Sequence, residues 1–110
     1  YDEYLLDTLL IGGDGAIPAT SNFAPEVTCG IYRAFREGDL AAAQKQLLRL
    51  GKLSRMYVMD KPFTGLIKES IRLCGLDISN KVIAPGSAVV DAAQRQALKE
   101  ILISAGVSVV

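Results

Sequence analysis

The sequence predicts an α/β chain that is mostly helical, and three observations carry that reading. Apolar residues recur at helical spacing in five separate segments, each segment is opened by a capping residue or closed by a glycine, and one short apolar run between the first two fits a strand. The opening segment places Leu5, Leu6, Leu9 and Leu10 on one face, with Asp2 and Glu3 in its first turn, where carboxylates complement the helix dipole. Gly12 and Gly13 stop it. Beyond Asp14 and Gly15, residues Ala16 to Thr20 are too few for a helix and apolar enough for a buried strand. Pro18 has no N–H to give a ladder, so it belongs near the strand's end. A lone strand leaves backbone groups that must be paired, and the chain supplies no second strand.

Asn22, ahead of Pro25 and Glu26, marks the entry of the second helix, which runs through Ile31 and Phe35 to Arg36 and stops at Gly38. Asp39 caps the third, whose stripe of Leu40, Ala43, Leu47, Leu50, Leu53 and Tyr57 points to an end near Asp60. Gly51 inside it costs about 1 kcal/mol relative to Ala. Pro62 suits the first turn of a fourth helix with Phe63, Ile67, Ile71 and Cys74 as its stripe and Gly75 as its end. A loop with Pro85 and Gly86 follows. Asp91, three residues before Gln94, has capping-box spacing and opens the fifth helix, which passes through Leu98, Ile101 and Leu102 to Gly106.

Composition excludes several functions. The 110 residues, half of them hydrophobic, suffice for one small cooperative core. Basic and acidic residues balance at 12 each and are scattered, so nothing marks a nucleic-acid or membrane surface. The absence of His removes the commonest general base, the commonest zinc ligand and any Ser-His or Cys-His nucleophile. Cys29 and Cys74 lie within apolar helical patterns without metal or disulfide spacing, so both read as buried small hydrophobes in a reducing, cytoplasmic setting. Neither metal nor cofactor is expected. No signal-peptide pattern or membrane-length apolar run is present. The chain enters a helical pattern directly, without Met, as expected of a start internal to a longer protein.

Helix, glycine turn, short strand and helix make half of the repeating unit of a (β/α) barrel. Tyr1-Asp2-Glu3-Tyr4-Leu5-Leu6 resembles the segment after the seventh strand in the dihydrodipicolinate synthase and N-acetylneuraminate lyase family of Schiff-base aldolases. Gly12-Gly13-Asp14-Gly15-Ala16-Ile17 and Thr20-Ser21-Asn22-Phe23-Ala24-Pro25 resemble its eighth strand and the exit into its eighth helix. Arg36-Glu37-Gly38-Asp39 followed by Ala43 resembles the turn into the family's extra C-terminal helices. The resemblance implies the C-terminal part of a (β/α)8 TIM barrel, with one strand and the last barrel helices in residues 1–38 and a C-terminal helical extension in residues 39–110. It also implies a homo-oligomer, a tetramer in this family.

In the family a lysine amine condenses with the carbonyl of pyruvate or another 2-keto acid, and the iminium serves as electron sink for the adjacent carbon-carbon bond. The resemblance places that lysine, a tyrosine and the carboxylate-binding glycine-threonine motif upstream of Tyr1, so no catalytic residue is expected here and the segment alone should be inactive. Lys68, beside Leu66, Ile67 and Ile71, reads as a helix-edge lysine with its stem packed and its head in water. Asp2 and Glu3 are the implied acceptors for hydroxyls on the distal carbons, although two first-turn acids also fit a purely dipolar role. Ile17 and Ala19, at the strand's C-terminal end, are the other implied substrate contacts, Ile17 through its backbone near the pyruvyl group.

The glycine turn at 12–15 precedes the strand and reads as a helix stop on the stability face rather than a phosphate cradle. Sialate lyases have glycine and serine where this chain has Pro18 and Ala19, and dihydrodipicolinate synthases have Gly-Asp-Asp where it has Tyr-Asp-Glu-Tyr. By exclusion the expected reaction is reversible cleavage of a 2-keto-3-deoxy sugar acid to pyruvate and an aldehyde. A dihydrodipicolinate synthase-like condensation and a non-catalytic helical interaction module are the alternatives.

Overall fold

The structure, a computed structural model, describes residues 1–59, 63–86 and 90–110. Its elements among these are α1 (Leu5–Leu10), α2 (Pro25–Arg36), α3 (Leu40–Leu53), α4 (Phe63–Leu73) and α5 (Ala92–Ser104), with 3-10 turns at Asp2–Tyr4, Ala19–Asn22 and Ser54–Val58. Local chemistry sets the helix ends. Gly12 turns left-handed at φ +95°, so that its N–H reaches Leu9 O at 3.2 Å and the Gly13 N–H reaches Thr8 O at 2.8 Å. Those two bonds satisfy carbonyls the helix would otherwise orphan. α2, α4 and α5 close by the same pair of bonds after Gly38, Gly75 and Gly106. Asp39 accepts from the Ala42 N–H at 2.9 Å, and the Asp91–Gln94 box forms in both directions.

The chain divides into two compact units, Tyr1–Ser54 and Arg55–Val110. In the first, Leu5, Leu6 and Leu9 of α1, Val27 and Ile31 of α2, and Ala43, Leu50 and Leu53 of α3 are buried. α3 packs against α2, and a Cβ on Gly30 would sit 3.1 Å from Gln46 Cγ, so a larger residue there requires the Gln46 side chain to give way. In the second unit, Leu66 and Leu73 of α4 and Leu98 and Leu102 of α5 are buried. Glu69, nearly buried, accepts from Arg95 Nε at 2.7 Å and lies 3.7 Å from Arg72 Nε, which ties α4 to α5. The Val110 N–H donates to Leu73 O at 2.9 Å.

Several expectations are corrected. No strand forms among the described residues: Asp14 to Pro18 run without regular structure, and the end of the expected strand becomes the 3-10 turn at Ala19–Asn22. The reason is a missing partner, since no second strand forms among the described residues to offer a ladder, and Pro18 has no donor for one. Asp14, Gly15, Ala16 and Ile17 are exposed. α3 ends at Leu53 and tightens into a 3-10 turn, with no glycine to stop it and the Ser54 hydroxyl close to Leu50 O at 3.2 Å. The expected end at Asp60 and the entry at Pro62 lie outside the described residues.

The buried face of α4 carries Leu66, Ile67, Glu69, Ser70 and Leu73, while Phe63 is exposed and Ile71 half-buried. Ser70 is admitted by donating to Leu66 O at 2.9 Å and Glu69 by its arginines. Cys29 is exposed and Cys74 half-buried, because the inward face of α2 is taken by Val27, Thr28, Ile31 and Ala34. α3 packs with α2, and the compact units divide after Ser54.

Candidate functional site

Asp2 stands on the opening 3-10 turn, and its carboxylate reaches across to Ala19–Asn22. Oδ2 accepts from the Thr20 N–H at 2.8 Å and from the Thr20 hydroxyl at 2.7 Å, while Oδ1 accepts from the Ala19 N–H at 3.3 Å. Pro18, at the N-cap of that turn, supplies no capping side chain, so Asp2 performs from a distance the work of an N-cap residue. Thr20 is fully buried. Asn22 Nδ2 donates to Ala19 O at 2.9 Å and braces the turn from within.

Glu3 is directed elsewhere. Its Oε2 accepts from Ser54 Oγ at 2.9 Å, a residue 51 positions on. Ser54 Oγ also lies 3.2 Å from Leu50 O, and one hydroxyl proton cannot serve both; the shorter contact to a carboxylate is the stronger. Glu3 Oε1 accepts no hydrogen bond among the described residues, which leaves it an acceptor for a donor from outside.

Of the four residues the sequence implied, the structure therefore brings Asp2 and Ala19 together, ties Glu3 to Ser54 and leaves Ile17 fully exposed. None of the four lines the hollow beside α2 in this unit. That hollow, about 520 Å³, lies between Gly15, Ala16 and Pro18 on one side and Thr28, Cys29, Tyr32 and Arg33 of α2 on the other. Its volume falls in the range of small-molecule sites.

The sequence reading places Thr20 at the end of the expected strand and gives Ser54 no role. The Thr20 contact had a local hint, a hydroxyl beside a proline turn. Ser54 had none, because nothing local ties it to Glu3. Among the described residues no cluster of three or more metal-ligating side chains occurs, and no helix is long and apolar enough to cross a membrane.

Residues 1–105 match the sequence model of the dihydrodipicolinate synthetase family. The chain is 49% identical over 85 residues to "Probable 2-dehydro-3-deoxy-D-pentonate aldolase YjhH" of Escherichia coli K12, covering 77% of this chain and 28% of that protein. It is 44% identical over 102 residues to "Putative 2-dehydro-3-deoxy-D-gluconate aldolase YagE" of the same strain, covering 93% of this chain and 33% of that one. The fold superposes with TM-score 0.91 and 42% identity on the crystal structure of YagE, a prophage protein of the dihydrodipicolinic acid synthase family from Escherichia coli K12, in complex with pyruvate. That match covers 98% of this chain and 36% of YagE. The chain thus spans about a third of the length of these relatives.

Proposed function

The chain belongs to the dihydrodipicolinate synthetase family, and on that premise we propose that it is the C-terminal segment of a class I, Schiff-base-forming aldolase that reversibly cleaves a 2-keto-3-deoxy sugar acid to pyruvate and an aldehyde. The observation that carries this reading is the near-complete likeness of the chain to YagE, a protein crystallised with pyruvate. The names of YjhH and YagE, "Probable 2-dehydro-3-deoxy-D-pentonate aldolase" and "Putative 2-dehydro-3-deoxy-D-gluconate aldolase", favour this substrate class over a dihydrodipicolinate synthase-like condensation. Family membership also sets aside a free-standing helical module that shares only patterning.

On this reading the lysine that forms the iminium lies in the rest of a (β/α)8 barrel, in a cytoplasmic homotetramer, and this segment supplies part of the substrate wall. The exposed stretch ending in Ile17 and Ala19 takes its place beside the pyruvyl group, where backbone groups can hydrogen-bond a carboxylate. Glu3 faces the distal carbons, its Oε2 fixed by Ser54 and its Oε1 left to accept from a sugar hydroxyl. A carboxylate suits that task because it only accepts and hydroxyls can donate.

The test is cleavage by the full-length protein. Five- and six-carbon 2-keto-3-deoxy acids should release pyruvate, followed by reduction with lactate dehydrogenase, whereas the 110-residue chain should release none. Activity in the isolated chain, or none in the full-length protein with either acid, would contradict the proposal.

A further inference from the structure

We infer that Asp2 is a positioning residue, acting through Thr20 and Ala19, and not a ligand of the sugar; the inference rests on the aldolase reading above. Asp2 and Glu3 are adjacent and chemically alike, but the fold uses them differently. A carboxylate offers about four lone-pair sites. Three donors of the Ala19–Thr20 turn already converge on Asp2, one of them the hydroxyl of a fully buried threonine.

The segment that Asp2 fixes has little else to hold it. No backbone N–H of residues 14–17 is bonded to another backbone group among the described residues, and Asp14 to Ile17 are exposed. The stretch is anchored at one end by the glycine turn at Gly12 and Gly13 and at the other by the bonds from Ala19 and Thr20 to Asp2. Where Ile17 and Ala19 stand therefore depends on the Asp2 carboxylate. Both are placed beside the pyruvyl end that every substrate of this class shares, so loosening the clamp should slow all substrates alike. A ligand of the distal hydroxyls would instead affect only substrates that carry them.

The experiment compares Asp2→Asn, Thr20→Val, Thr20→Ser and the Asp2→Asn/Thr20→Val pair in the full-length enzyme. Its readouts are kcat/KM for five- and six-carbon 2-keto-3-deoxy acids and the rate of borohydride trapping of pyruvate. Asp2→Asn and Thr20→Val should each lower all three by a common factor of about 10- to 100-fold. Thr20→Ser, which keeps the hydroxyl, should recover most of the loss, and the pair should lose no more than its worse member.

A loss in Asp2→Asn confined to the sugar acids, with pyruvate trapping at the wild-type rate, would make Asp2 a ligand and overturn the inference while leaving the aldolase reading intact. A wild-type enzyme that releases no pyruvate would overturn both. Amide exchange supplies a readout independent of turnover: Ala19 and Thr20 should exchange faster in Asp2→Asn, and unchanged exchange would remove the clamp whatever the activity.

Discussion

The two compact units hold their polar groups in opposite ways. In Tyr1–Ser54 the decisive bonds leap along the chain, from Asp2 to Ala19 and Thr20 and from Glu3 to Ser54, and they surround an extended stretch that finds no ladder. In Arg55–Val110 the long-range bonds, from Arg95 to Glu69 and from the Val110 N–H to Leu73 O, join regular helices and close on themselves. Both units carry a buried apolar core, and the first adds to it an exposed stretch held at its far end by side-chain bonds to Asp2.

Core truncation should sharpen that contrast most. Leu98→Ala, at a fully buried position, should destabilise the protein by about 2–5 kcal/mol and speed amide exchange through α4 and α5. Denaturant unfolding checks it, and a cost below that range would mean that the second unit is looser than its burial indicates.

Glu3→Ala should leave folding nearly unchanged and act on chemistry instead. In the full-length enzyme it should reduce kcat/KM for the sugar acid by an amount worth about 1–3 kcal/mol, and reduce pyruvate trapping much less. Equal losses in both assays would give Glu3 a different task.

Asp91→Ala removes the side-chain half of the capping box on α5, leaving the residue 91 N–H to donate to Gln94 Oε1, and should cost about 1 kcal/mol in thermal or denaturant unfolding. Ile17→Ser closes the series. With its side chain fully exposed it should change stability by less than about 0.5 kcal/mol, and a larger loss would show that the extended stretch is packed after all.

What could be read in the sequence follows the same division. The ends of α1, α2, α4 and α5 were legible because a glycine two residues past the last full turn, or an aspartate three before a glutamine, does its work within a few residues. The strand at Ala16 to Thr20 was not, since a strand depends on a partner and apolar character alone cannot supply one. The stripe of α4 was misplaced by counting only apolar residues: Glu69 and Ser70 are buried because Arg95 and the Leu66 carbonyl satisfy them.

Asp2 and Glu3 stood out in the sequence as first-turn acids, but their hydrogen-bond partners did not, because Thr20 and Ser54 meet them only in three dimensions. The family itself was legible from four short landmarks, and the match over residues 1–105 bears that out.

On the proposed function, this segment shapes an aldolase site whose iminium-forming lysine lies elsewhere in the protein. Borohydride reduction of the full-length enzyme with pyruvate, followed by peptide mass mapping, tests it most directly. One lysine should carry the reduced pyruvyl adduct, and its peptide should fall outside residues 1–110. A stoichiometric adduct on Lys68, or on any other lysine of this chain, would contradict the account.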